Sequence, residues 1–215
     1  MAKLIIFDWD GTLMDSERQI VHCMQMAAHD LELVVPTYEA VRHIIGLGLP
    51  EAIERLFPRH DADAREAIRL GYARHFVAGS AGSSDLFPGA VELLDELRAR
   101  SLVLAVATGK SRVGLNRVLG KTGMTNFFDL TRTADETASK PDPRMLHEIL
   151  EETRLHPEDA IMIGDTTFDL EMAERAGVPR IGIAHGVHET KALRAHAPLA
   201  IVDDLFALAV HLRSL

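Results

Sequence analysis

The sequence predicts an α/β protein, a parallel sheet with helices on both faces and a second, helical unit inserted near its start. Three observations predict it. Short apolar runs bounded by polar or glycine residues recur at 4–7 (LIIF), 102–107 (LVLAVA), 127–130 (FFDL), 160–164 (AIMIG), 180–184 (RIGIA) and 199–202 (LAIV), the pattern of strands buried on both faces. Helical spacing fills the later intervals, at 90–100, 112–123, 143–153, 170–177 and 189–196, and strand then helix, repeated, builds a doubly wound, Rossmann-like parallel sheet with right-handed crossovers. Residues 14 to about 85, between the first two runs, read almost wholly as helix, in segments 20–31, 38–46, 51–57 and 64–79. That interval is too long for one crossover. The expected division is a core of 1–14 and 86–215 with a helical cap at 15–85. Ser16 with Gln19 fits a helix-starting capping box, and the small residues of GSAGSSDLFPG (79–89) suit a flexible return.

Composition narrows the function classes. The chain has 215 residues, 47% apolar and 26% charged, with a formal net charge of −9. No basic stripe is present to neutralise phosphates, which argues against a nucleic-acid partner. No run approaches the ~18 apolar residues of a membrane span, and four apolar residues before Asp8 make no signal peptide. Cys23 is the only cysteine, so no internal disulfide forms. The expectation is a cytoplasmic protein in a reducing compartment, without nucleic-acid or membrane partners.

Chemistry in an open α/β sheet sits where strands end at the carboxyl edge. There the chain places Asp8 and Asp10 after the first run, Thr108, Gly109 and Lys110 after the second, and Asp165 after AIMIG, with Lys140 in the loop ETASKPDP. Strand-end turns account for one such terminus but not for four, because clustered carboxylates repel unless a cation sits among them. Mg²⁺ takes oxygen ligands, commonly one or two carboxylates with water and substrate phosphate, and Asp8 and Asp165 can supply them. Residues at i and i+2 of an extended strand point the same way, so Asp8 and Asp10 face one cavity and Trp9 faces away. Gly11 then permits a tight turn. One aspartate can attack phosphorus; the other can protonate the departing alcohol, which at neutral pH requires a neighbouring negative charge to raise its pKa.

Together DWDGTLMDS, the ATG ending the second run, the isolated KP at 140–141 and GDTTFDLEMA (164–173) resemble the haloacid dehalogenase superfamily of phosphohydrolases, in particular its phosphoglycolate-phosphatase-like branch. The resemblance spans the chain, since that branch carries its cap where the helical insert lies. It implies Asp8 as nucleophile and metal ligand. It implies Asp10 as general acid and base, with its backbone carbonyl toward the metal. Thr108 and the Gly109 amide would bind phosphoryl oxygens, Lys140 would neutralise charge on Asp8 and the transferring group, and Asp165 would complete the metal site. Asp169, read as one helical turn beyond Asp165, would act behind the metal ligands or through a metal-bound water. Trp9 stands where an aliphatic residue is common in the family. Lys110 fits a phosphate contact and a place beside the entrance equally well, and Asp15 a hinge contact or a helix cap.

Other patterns fail. ATGKS lacks the first glycine of a nucleotide phosphate loop, where the chain has Leu104. His185 and His188 have no cysteine or carboxylate partner at zinc-like spacing and read as structural. Cys23 beside Met24 and Met26 reads as packing. Asp10 with Asp165 argues against dehalogenation, and the absence of any lysine between Lys3 and Lys110 excludes a Schiff-base lysine in the insert. The expected activity is Mg²⁺-dependent hydrolysis of a small phosphoester through an aspartyl-phosphate, with 2-phosphoglycolate the leading substrate by resemblance. Arg42, Arg55, Arg59, Arg65, Arg69 and Arg74 are candidate readers of its carboxylate. A sugar-phosphate mutase is the alternative, with a phospho-receiver signalling module behind it. The branch implies a monomer or simple homodimer.

Overall fold

The computed structural model describes residues 2–79 and 85–214. Six parallel strands form one sheet in the order β3-β2-β1-β4-β5-β6: β1 (Leu4–Phe7), β2 (Val103–Thr108), β3 (Leu130–Thr133), β4 (Ala160–Gly164), β5 (Arg180–Ile183) and β6 (Ala200–Val202). The doubly wound α/β architecture expected of the sequence is the one formed. Chain direction along the sheet reverses between β1 and β4, which opens a crevice beyond their carboxyl ends. Alternation explains the apolar runs. Ile5 and Phe7 of β1, Leu104 and Val106 of β2, and Ile161 and Ile163 of β4 enter one apolar cluster, while Leu4, Ile6, Ala105, Ala107 and Met162 enter another on the opposite face.

Four helices stand between β1 and the rest of the sheet: α1 (Glu17–Asp30), α2 (Tyr38–Arg42), α3 (Leu49–Leu56) and α4 (Ala62–Ala78). The core helices follow as α5 (Ala90–Ala99), α6 (Arg112–Thr122), α7 (Arg144–Thr153), α8 (Thr167–Arg175), α9 (Thr190–Arg194) and α10 (Leu205–Arg213). The chain leaves and re-enters the core side by side. The Asp15 amide donates to the Asp85 carbonyl at 2.7 Å and the Phe87 amide to the Leu13 carbonyl at 2.9 Å, so Asp15 meets the return path through its backbone. Of the expected flexible return, residues 80–84 lie outside the described residues.

Three local expectations are corrected. Ser16 does precede α1, but its side chain makes no capping bond; Ser16 Oγ donates instead to Asp10 Oδ1 at 2.6 Å, and Gln19 Nε2 donates to the Gly79 carbonyl. The third strand begins where FFDL ends. Phe127 and Phe128 pack against the core as loop residues, and Asp129 latches that loop to β2 through the Leu104 amide, 2.9 Å from Asp129 Oδ2. β3 itself is LTRT, an edge strand with only Thr133 buried, and edge strands read polar. The unexpected helix α10 buries Leu205, Leu208 and Leu212 along one stripe, with Asp204 Oδ1 accepting the Ala207 amide at its start.

Trp9 continues the odd-numbered face of β1 and is fully buried. Its Nε1 donates to Met14 Sδ at 3.0 Å and its ring meets Phe128 edge-on, centroids 6.2 Å apart. Cys23 is also buried in this cluster, as packing. Trp9→Ala is expected to lower unfolding stability by about 3–5 kcal/mol, measured by urea denaturation followed by circular dichroism.

Candidate active site

The ends of β1, β2 and β4, the loop after β3 and the first turn of α8 carry the core residues singled out in the sequence, and four of them, Asp8, Lys140, Asp165 and Asp169, meet in one cluster. Asp8, Thr108, Lys140, Asp165 and Asp169 are all buried. Lys140 Nζ donates to Asp8 Oδ1 and to Asp169 Oδ1, each at 2.6 Å. Asp8, Asp165 and Asp169 present carboxylate oxygens that all lie within 4.8 Å of one another. Asp165 is held by Thr12, whose Oγ1 donates to Oδ1 at 2.8 Å, and by the Val187 amide, 2.7 Å from Oδ2. Asp169 Oδ2 accepts from the Thr166 amide at 3.0 Å and from Thr166 Oγ1 at 2.7 Å.

Asp169 reaches the cluster for a reason other than helical phase. Asp165 precedes α8, Thr166 is the residue that caps it, and Asp169 closes a reciprocal capping box with Thr166. The T-x-x-D pattern at 166–169 carried that information. Thr12 and Ser16 gave no such signal, because their partners, Asp165 and Asp10, are set by tertiary packing. Gly11 has φ +82°, and a Cβ there would stand 2.2 Å from Asp165 Oδ2, so the turn and the placement of the Asp165 carboxylate both require glycine.

The Asp10 carboxylate stands apart from the three. It accepts from Ser16 Oγ on Oδ1 and pairs through Oδ2 with Lys110 Nζ at 3.0 Å, and its ring of partners faces the insert. Lys110 lines the cavity between core and insert, with its ammonium 4.6 Å from the Phe76 ring centroid. Its amide donates to Thr108 Oγ1 at 3.2 Å, which leaves the Thr108 hydroxyl proton free for an acceptor. Gly109 sits under the loop that follows α2; a Cβ at 109 would meet the Leu47 carbonyl at 2.4 Å and the Gly46 carbonyl at 2.6 Å. The same loop is pinned to the core by the Gly48 amide, which donates to Ser139 Oγ at 2.8 Å. His185 and His188 are structural: His185 stacks on Phe87 with centroids 3.8 Å apart, and His188 Nδ1 accepts the Thr167 amide at 3.0 Å.

Burial comes first in the electrostatics, and charge second. Burial first, then the charge of Asp169, pushes the Asp8 carboxyl well above the usual carboxylate range against the pull of Lys140. Burial and then Asp169 push Asp165 up to about 7, against the hydrogen bonds from Val187 and Thr12. Burial opposes the ammonium of Lys140, but Asp169 and Asp8 outweigh it and hold the group above its ordinary value. Asp8 Oδ2 is buried and finds no hydrogen-bond partner among the described residues. Three hard oxygen donors and one orphaned carboxylate oxygen suit a small divalent cation.

A parallel sheet that gathers buried carboxylates and a lysine at its switch point defines an enzyme that handles phosphoryl groups. The chain belongs to the haloacid dehalogenase-like hydrolase family, whose model matches residues 5–183. It is 39% identical over 210 residues, 94% of this chain and 90% of the relative, to a Dickeya dadantii protein named "Probable phosphatase IndB". It is 30% identical to a phosphoglycolate phosphatase of Agrobacterium fabrum, covering 97% of this chain and 91% of that one. A solved haloacid dehalogenase-like hydrolase from Streptococcus pneumoniae superposes with TM-score 0.84 at 26% identity, covering 98% of each chain. Among its relatives the chain takes its place as an enzyme of the phosphatase class. No helix among the described residues is long and apolar enough to cross a membrane.

The raised carboxyls set a sign for metal binding. Asp165 moves from its ordinary value of 3.8 to about 7 in the fold; the stability it lends by staying protonated is full below its unfolded value and is lost as pH rises through about 7. A divalent cation binds the ionised form and restores stability where that loss is complete. The gain in Tm on adding Mg²⁺ to chelator-treated protein is therefore expected to be larger at pH 8 than at pH 5.5, by scanning calorimetry.

Proposed function

We propose that the protein is a Mg²⁺-dependent phosphomonoesterase acting on a small phosphorylated metabolite through an aspartyl-phosphate on Asp8, with residues 15–85 acting as a cap over the site. The observation that carries this reading is the charge balance of the cluster, three buried carboxylates against one buried ammonium, with Asp8 Oδ2 left without a hydrogen-bond partner. Asp8, Asp165, the Asp10 carbonyl and, directly or through water, Asp169 would hold the metal. When bound, Mg²⁺ supplies charge stabilisation to the phosphoryl oxygens.

The protein's own residues divide the remaining work. Asp8 attacks phosphorus and the phosphorus–oxygen bond to the alcohol breaks. Asp10 is held by Ser16 and paired with Lys110, whose ammonium favours its ionised form. The negative charge of a bound phosphate opposes that pull and lets Asp10 carry the proton it gives to the departing oxygen. Asp10 then takes one from the water that cleaves the aspartyl-phosphate. Lys140 counters the charge shared between Asp8 and the phosphoryl group, and the Thr108 hydroxyl and Gly109 amide donate to its oxygens. The loop at 46–48 over Gly109 keeps bulk water out during transfer. 2-Phosphoglycolate, after which the Agrobacterium relative is named, is the reference substrate against which other esters are measured.

Asp8→Asn is expected to reduce phosphate release to the background of a mock preparation, and Asp10→Asn to lower kcat by roughly 10²–10⁴-fold, with chelator abolishing wild-type turnover and Mg²⁺ restoring it. Substantial turnover by pure Asp8→Asn would show the mechanism to be wrong.

A further inference from the structure

A cavity of about 410 Å³ lies between the insert and the carboxyl edge of the sheet, within the ~300–1,000 Å³ usual for small-molecule sites. Asp8, Asp10, Gly109 and Lys110 line its core side. The wall supplied by the insert is mostly apolar, with Ile20 and Met24 of α1, Ile45, Leu49 of α3, and Tyr72 and Phe76 of α4, and carries two charged residues, Glu51 and Arg69. Tyr72 and Phe76 lie side by side, centroids 5.7 Å apart. Burial first, then Asp10, holds the Tyr72 proton well above the usual phenol range, so its hydroxyl remains a donor within this wall.

A short carboxylate-bearing substrate would need a free cation close to the phosphate. Among the described residues Arg69 is the one arginine of the insert that lines the cavity, and its Nε and Nη2 both donate to Glu66 at 2.7 Å. Arg42 pairs with Glu17 and Arg65 with Glu54. Lys110 is engaged by Asp10. Arg117 lies on the core side of the cavity, on α6 and five residues beyond its first residue Arg112, about 7.5 Å along the helix axis at 1.5 Å per residue, so the cation it offers is on the core side rather than on the wall formed by α1 and α4. A carboxylate seated against α1 and α4 would exchange its hydration for the Tyr72 hydroxyl and an Arg69 already paired with Glu66, whereas a ring there would remove apolar surface from water and pack on Tyr72 and Phe76.

We infer that the preferred substrates are phosphomonoesters whose alcohol carries an apolar, ring-sized body seated against α1 and α4, in place of short carboxylate esters such as 2-phosphoglycolate. This rests on the phosphomonoesterase reading above. Steady-state phosphate release from 2-phenylethyl phosphate and from 2-phosphoglycolate compares two esters of primary alcohols that differ in that body. The ring ester is expected to have the higher kcat/KM by about tenfold or more, and Tyr72→Ala, with its fold checked by circular dichroism, to shrink the ratio by a similar factor. A wild-type ratio of one or less overturns the inference and leaves the phosphatase reading standing, and it decides the matter even if Tyr72→Ala does not fold. An unchanged ratio in folded Tyr72→Ala overturns the seat against α4. Failure of both esters to release phosphate with Mg²⁺ present overturns the phosphatase reading and the inference with it.

Discussion

The ion triad of Lys140 with Asp8 and Asp169 is the interaction on which the site depends. Its ammonium reaches both carboxylates at 2.6 Å, and all three groups are buried. Desolvating such charges is costly, and their mutual attraction offsets it only with good geometry and satisfied remaining oxygens. The structure meets that condition for Asp169 through Thr166 and for Asp165 through Thr12 and Val187, but leaves Asp8 Oδ2 open. Three carboxylates against one lysine leave the cluster short of positive charge, and the open oxygen lies on the atom set that a cation and a phosphoryl group would share.

The insert is tied to this cluster by packing as well as by sequence. One apolar cluster runs from the sheet face of β1, β2 and β4 through Trp9 and Met14 into Ile20, Met24, Ile53 and Ile68. The insert helices pack chiefly on one another, α1 and α3 against α4 and α2 against α1, and the cluster joins that packing to the core through Trp9 and Met14. Close approach of the Gly46 and Leu47 carbonyls to Gly109, and of Gly48 to Ser139, seats the loop over the end of β2. Lys110 joins the two parts, contacting Asp10 of the core and Phe76 of the insert.

Much of this was legible in the chain. Asp8, Asp10, Thr108, Lys140 and Asp165 each follow a strand or stand in a loop at the carboxyl edge, so local pattern and sheet logic suffice to gather them. Apolar runs marked the buried strands β1, β2 and β4 because both faces of each are covered. That rule misplaced β3, whose exposed edge carries Arg132 paired with Glu148 and Glu152. Asp169 was placed by a helix phase that does not exist at Asp165. The Ser16–Gln19 box failed because Asp10 offered Ser16 a better partner than its own helix.

The sequence by itself determined the alternation of strand and helix, the interruption by a helical insert, and the identity of the residues that can do phosphoryl chemistry. Those follow from periodicity and from side-chain type, both local properties. Only the tertiary structure decided which polar groups hold the buried carboxylates and what lines the cavity beside them. Thr12 is 153 residues from Asp165, and Lys140 is 132 from Asp8. Partners that distant are chosen by the strand order of the sheet and by the way the insert folds back upon it, and local periodicity carries no record of either.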